Sequence, residues 1–167
     1  DEWQRVFATN RDVGECSIDA AAMARRSLKN TALGYLMELD DVGIRRMCVE
    51  QFHAGNNMTD VVTALVFLIN NEGAEGDAAL ATFYSQWQGD NLVLDKWFAI
   101  QSTCRRPDTL QRVVALTRHS AFNIKNPNRV RAVVGAFAHG NHVRFHDRSG
   151  AGYTLLGDYV VALNALN

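Results

Sequence analysis

Proline is almost missing from this sequence: Pro107 and Pro127 are the only two in 167 residues, and 12 glycines accompany them. So few turn-formers speak against a protein of many short strands and favour long helices. Cysteine is scarce as well. Cys16, Cys48 and Cys104 are odd in number, far apart and in no CxxC pair. That pattern excludes a disulfide framework and predicts buried, reduced thiols in a cytosol-like compartment. No stretch approaches 18 uninterrupted apolar residues, so no segment is written to span a bilayer. Asp1-Glu2-Trp3-Gln4-Arg5 has neither the basic nor the apolar region of a signal peptide, and the expected location is cytoplasmic. Signatures of nucleophilic and phosphate chemistry are also lacking. There is no GxSxG, no cysteine stands in an activating context, and Gly150-Ala151-Gly152 follows no strand and lacks the P-loop lysine.

What is present is an ordinary globular composition, 47% hydrophobic and 21% charged, long enough for one domain with a sizeable core. The net charge of −1 hides an asymmetry. Residues 1–104 hold 8 Lys/Arg against 15 Asp/Glu, whereas residues 105–148 hold 9 against 2. A basic segment of this kind implies a field for an anionic group, or an attraction between the two parts. It could also serve nucleic acid, but aromatic interleaving is thin, with Phe122, Phe137 and Phe145 on core-like positions, so no nucleic-acid partner is expected.

Helical grammar recurs along the chain. Trp3 to Asn10 is helix-like. Ser17 or Asp19 caps Ala20 to Leu39, with Met23, Leu28, Leu33, Leu36 and Met37 as its apolar stripe and Arg25, Arg26 and Lys29 on the solvated face. A second helix runs through Ile44, Met47, Cys48 and Phe52 and ends near Gly55. Asn57 caps a helix so nearly apolar all round, Val61 to Ile69, that it must lie between neighbours. A turn over Glu72 to Gly76 leads to Ala78–Gln88, then Asn91 caps Leu92 to Thr103, and Pro107-Asp108 starts the next helix. Val130, Val133, Val134 and Phe137 follow i, i+3, i+4, i+7. A short turn around Val143 to Asp147 precedes a last helix, Tyr153 to Leu166. Hairpins thus start near residues 18, 57, 91 and 127, a period typical of helix-pair solenoids. The expected fold is a single all-α domain of stacked antiparallel helical hairpins, an α-solenoid superhelix of the HEAT/armadillo type. Both ends look severed, so the chain is expected to be a piece of something larger.

Asn126-Pro127-Asn128-Arg129-Val130-Arg131 organises the basic part. Asn caps, and Pro suits the first helical position. Glu or Gln commonly follows three residues after such a cap, yet Arg129 stands there against the helix dipole, at a cost of roughly 0.3–1 kcal/mol. A compensating anion is therefore sought, a carboxylate or a phosphate. The helical turn of 100° per residue separates Arg129 from Arg131, so the two are not expected to clamp one small anion. One of them could pair with Asp95 or Asp158 while the other faces a cavity. Asp95-Lys96 itself reads as two differently directed contacts.

A metal constellation is the other candidate. His139, His142, His146 and Asp147 include the i, i+4 spacing that puts two imidazoles on one helix face. Val143 stands where the peptidase form of the motif has its Glu base, and Gly140-Asn141 predicts a loop that breaks the helix. No metal is expected there.

Gln51-Phe52-His53, Asn57-Met58-Thr59-Asp60, Leu92-Val93-Leu94-Asp95-Lys96-Trp97-Phe98, Asn126-Pro127-Asn128-Arg129, and Phe145-His146 with Gly150, Gly152 and Tyr153 together resemble the C-terminal region of bacterial-type aminopeptidase N, from about residue 18 onward. That family consists of zinc metallopeptidases that remove N-terminal residues from peptides. Its HExxH motif, downstream Glu ligand, GAMEN motif and oxyanion Tyr are absent here. The resemblance therefore implies a non-catalytic helical domain with no cofactor of its own, the zinc lying in a catalytic domain of the same polypeptide. It further implies a wall of the substrate cavity, with Arg129, Asn126 and Asn128 meeting the carboxylate or backbone of a bound peptide. Where this chain has His142 the family pattern has Pro, which weighs further against a metal. The alternative is a stand-alone protein-interaction solenoid without enzymatic activity.

Overall fold

A helix starts where a side chain can accept the free N–H groups of its first turn, and this chain supplies Asp or Asn at most such points. The computed structural model describes residues 2–12, 14–71 and 73–166, and all regular structure among them is helical. The turn residue Glu72 lies outside the described residues. α1 (Glu2–Thr9) precedes α2 (Ala20–Met37), whose cap Asp19 accepts from the Ala22 N–H at 2.8 Å. Asp41 caps α3 (Val42–Ala54) through the Ile44 N–H, and Asn57 caps α4 (Met58–Asn70) through the Asp60 N–H. α5 (Ala74–Trp87), α6 (Asn91–Ser102) and α7 (Thr109–Leu116) follow. α8 (Pro127–Val130) passes into a π-helical segment, Arg131–Gly135, and then into α9 (Ala136–Gly140). α10 (His142–Phe145) and α11 (Ala151–Asn164) end the described chain. The all-α class is as expected, and the expected hairpin starts fall at the caps Asp19, Asn57, Asp90 and Asn126.

Two compact units make up the chain, Asp1–Ala81 and Thr82–Asn167. In the first, α2 packs against α1, α3 and α4, with Leu33, Leu36, Ile44, Cys48, Phe52, Leu65 and Leu68 buried. A Cβ on Gly34 would lie 2.9 Å from the Phe67 ring, so this mid-helix glycine permits the close approach of α2 and α4. In the second unit, α6 packs against α7, α8, α9 and the π segment, over Phe98, Val113, Leu116, Val133 and Phe137. The stripe Val130, Val133, Val134 and Phe137 is buried as its spacing predicts. A Cβ on Gly152 would run into the Phe145 carbonyl, which fixes a glycine where α11 leaves α10.

Several expectations are corrected. Met23 and Leu28 are exposed at 57% and 46%, whereas Arg26 and Lys29 are each only 5% exposed. The reason is pairing: Arg26 Nη1 lies 3.0 Å from Asp12, and Lys29 Nζ donates to Asp60. Asp90, not Asn91, caps α6, accepting from the Leu92 and Val93 N–H groups at 2.9 and 3.1 Å. α5 begins at Ala74, four residues before the expected start. The helix opened by Pro127 is interrupted by π turns. Among the described residues no disulfide links the cysteines; Cys48 and Cys104 are buried, whereas Cys16 is exposed. Burial pushes the Cys48 thiol up to about 12.

Candidate functional site

The cap that opens α8 forms as the sequence predicts. Asn126 Oδ1 accepts from the Asn128 N–H at 3.0 Å and the Arg129 N–H at 3.3 Å, with Pro127 at the first helical position. Asn128 is exposed and its Oδ1 accepts from Arg131 Nη1 at 3.3 Å, while Asn126 is half-buried. Arg131 is exposed and Arg129 is only 3% exposed, so the two arginines do not converge.

The anion that compensates Arg129 is part of the fold. Its Nη1 lies 3.1 Å from Asp95 Oδ1, its Nη2 donates to Asn91 Oδ1 at 3.2 Å, and its guanidinium carbon stands 4.9 Å from the centre of the Phe98 ring. A planar cation over an aromatic face gains from the ring quadrupole, the more so when desolvated. Asn91 is thus a ligand of Arg129 rather than a helix cap. The pairing is incomplete as hydrogen bonding: Nε and Nη1 of Arg129 and Oδ1 of Asp95 are buried, and none has a hydrogen bond of good geometry. Two donors of a buried arginine are left electrostatically paired but not directionally satisfied, which is costly in a low-dielectric setting. Beside it, His119 packs among Tyr84, Trp97 and Phe98 with ring centroids 5.1, 5.3 and 5.7 Å away, and its Nδ1 accepts from the Ala121 N–H at 3.1 Å. The Arg129–Asp95 pair is one of the two pairings the sequence offered; the aromatic surround of His119 was missed, because its members lie on three different segments.

The first unit holds a buried polar network that sequence reasoning also missed. Asp60, 3% exposed, accepts from Lys29 Nζ, from Asn30 Nδ2 at 2.9 Å and from Asn57 Nδ2 at 2.9 Å. Gln51 Nε2 donates to Asn30 Oδ1 at 2.8 Å and to the Asp60 carbonyl at 3.2 Å, leaving Gln51 Oε1 without a partner. Burial pushes the Asp60 carboxyl up, but the hydrogen bonds from Lys29, Asn57 and Asn30 outweigh it and hold the group below the usual carboxylate range. A cleft of about 620 Å³ borders the network, lined by Arg11, Lys29, Glu50, Gln51, His53 and Asp60 among others.

The helix breaks at Asn141, as the sequence predicts: with φ −122° and ψ 64° it separates α9 from α10. Asn141 then caps α10, accepting from the Arg144 N–H at 3.4 Å, and its amide donates to the Ser102 and Cys104 carbonyls at 3.2 and 2.7 Å. His142 and His146 stack with ring centroids 5.9 Å apart. Asp147 Oδ1 accepts from the Ser149 N–H at 2.9 Å. Among the described residues, no three His, Cys, Asp or Glu side chains gather as a metal site, and no helix is long and apolar enough to cross a membrane.

Comparison with known proteins agrees with the all-α array. Residues 1–167 match the family described as a domain of unknown function (DUF3458_C) with ARM repeats. Aminopeptidase N of Caulobacter vibrioides is 43% identical over 154 residues, covering 92% of this chain and 18% of that protein. Aminopeptidase N of Escherichia coli K12 is 34% identical over 171 residues, covering all of this chain and 19% of that protein. A crystal structure of Legionella pneumophila aminopeptidase A in complex with aspartic acid superposes with a TM-score of 0.90 at 30% identity, over 99% of this chain and 20% of that one. The chain thus spans about a fifth of the length of the relatives it matches. It belongs to the DUF3458_C ARM-repeat family, the helical C-terminal domain of aminopeptidase N.

Proposed function

We propose that this chain is a non-catalytic wall of the peptide cavity in a zinc-dependent aminopeptidase, with the catalytic zinc held by a separate domain of the same polypeptide. The observation that carries this reading is the match of the whole chain to the DUF3458_C family and to aminopeptidase N of Escherichia coli, of which it spans about a fifth. Within the wall, the α8 cap is the peptide-facing turn. Asn128 is its exposed member and offers an amide to the peptide backbone. Asn126 has its Oδ1 committed to the cap, which leaves its Nδ2 for a carbonyl. Arg129 contributes positive charge from within, and its two unsatisfied donors engage a peptide carboxylate as Asp95 yields. An exchange of one carboxylate for another preserves the buried charge balance, which is why it is accessible at all.

If the wall is non-catalytic, the purified chain hydrolyses no aminoacyl chromogenic amide, with or without added Zn²⁺, while the intact polypeptide does so under the same conditions. Zinc-dependent turnover by the chain alone would overturn the assignment.

A further inference from the structure

Two imidazoles one helical turn apart can share a metal ion, because residues i and i+4 lie on the same helix face. His142 and His146 are so placed, exposed and with rings 11° from parallel. The turn that carries them is firmly held. Asn141 beneath it is buried and tied to two carbonyls of another segment, Phe145 packs edge-on against Phe137, and Arg144 donates to the Arg105 carbonyl at 2.9 and 2.7 Å. His146 is also oriented from outside the turn, since its Nδ1 lies 2.6 Å from the Tyr153 hydroxyl on α11. With the proton on Nδ1 the ring donates to that oxygen and Nε2 is left as an acceptor. A ligating histidine is ordinarily held in this way, its second nitrogen donating to a fixed oxygen that sets tautomer and ring plane.

We propose that His142 and His146 form a two-imidazole surface site for a borderline divalent transition-metal ion, Cu²⁺ before Ni²⁺ and Zn²⁺, steadied by Tyr153. Nitrogen ligands of this kind follow that order of affinity and do not favour Ca²⁺ or Mg²⁺. Metal–nitrogen bonds of about 2.0–2.1 Å bring two ring centroids to roughly 4.5–5 Å, from the square-planar angle Cu²⁺ prefers to the tetrahedral one of Zn²⁺. The observed 5.9 Å is wider, so the exposed His142 ring must turn out of the stack and close on His146. Asp147 does not gather with the two histidines as a third ligand among the described residues, and its Oδ1 closes its own turn. Two protein ligands leave the remaining positions to water or to a donor from elsewhere, so the site is a modest chelate. A bound ion would link α10 to the first turn of α11 through Tyr153.

The test titrates Ni²⁺ and Cu²⁺ into the intact polypeptide, its catalytic zinc retained, by isothermal calorimetry. Both histidines are exposed, so His142→Ala and His146→Ala should keep the far-ultraviolet circular dichroism of the parent. The expected result is a binding step present in the parent and weakened at least tenfold in either variant. Tyr153→Phe should weaken it by about tenfold, the usual consequence of removing an outer-shell partner. His139→Ala should bind as the parent does. Equal binding by the parent and His142→Ala would overturn the proposal, as would loss of the step in His139→Ala alone.

Discussion

Replacing Arg129 with alanine should lower the stability of the chain by about 3 kcal/mol, the lower end of what breaking a buried ion pair costs. The lower end applies because the Asp95 side chain keeps 19% exposure and can recruit some water once its partner is gone. That figure includes three further losses: the Asn91 hydrogen bond, the contact with Phe98, and the packing of the guanidinium stem in a site that is only 3% exposed. Removing Asp95 instead strands a buried guanidinium that already has two unsatisfied donors, so Asp95→Ala should be at least as damaging. The double variant should be less destabilised than the sum of the two. Urea unfolding of the four proteins gives the coupling directly. A coupling near zero, with each single change below about 1 kcal/mol, would mean that the pair behaves as a solvated surface bridge.

Asp60→Ala should cost a comparable amount, roughly 3–5 kcal/mol, because it removes the shared acceptor of Lys29, Asn30 and Asn57 and leaves a buried ammonium unpaired. The pH dependence carries a definite sign. In the folded chain the Asp60 carboxyl titrates below its ordinary value, so in acid the unfolded chain binds more protons than the folded one and stability rises with pH across that window. The contribution is therefore fully present above the unfolded carboxylate range, about 4, and is lost as pH falls through the folded value. Urea midpoints measured from pH 7 down to pH 3 should fall less steeply for Asp60→Asn than for the parent, since the variant has already lost the titrating group. Parallel profiles would show that Asp60 does not contribute to acid unfolding.

What the sequence made legible follows from the range of each interaction. Caps are local, so Asp19, Asn57 and Asn126 could be read from the few residues around them. The Val130, Val133, Val134 and Phe137 stripe could be read from its period alone, and it stayed buried although the backbone passes through π turns at Arg131–Gly135. Nothing in Arg131-Ala132-Val133-Val134-Gly135 announces those turns. Charged residues were misplaced for the opposite reason. Arg26 and Lys29 read as solvated because a helical wheel assigns a charge to water by default, and the carboxylates that hold them inside lie 14 and 31 residues away. Arg129 is the instructive case: its unfavourable place at a helix start correctly signalled a missing anion, and the anion present is Asp95 on α6. The resemblance to aminopeptidase N was carried by motifs such as Asn57-Met58-Thr59-Asp60 and Asn126-Pro127-Asn128-Arg129, whose polar members the structure places in a buried network and a helix cap. Much of what made the family legible is thus architecture.

The reading of the α8 cap as a peptide-facing wall is tested most directly by substrate discrimination in the intact polypeptide. Asn128→Ala removes the exposed amide, and Arg129→Lys keeps the charge but loses the planar fork that holds Asp95 and Asn91. Both changes should preserve folding better than Arg129→Ala. If the turn meets peptide, kcat/KM for peptides falls about tenfold in the double variant, a loss of about 1.4 kcal/mol, while uncharged single-residue amides change by less than twofold. Equal losses on peptides and on single-residue amides would contradict the wall and leave the turn as scaffold alone.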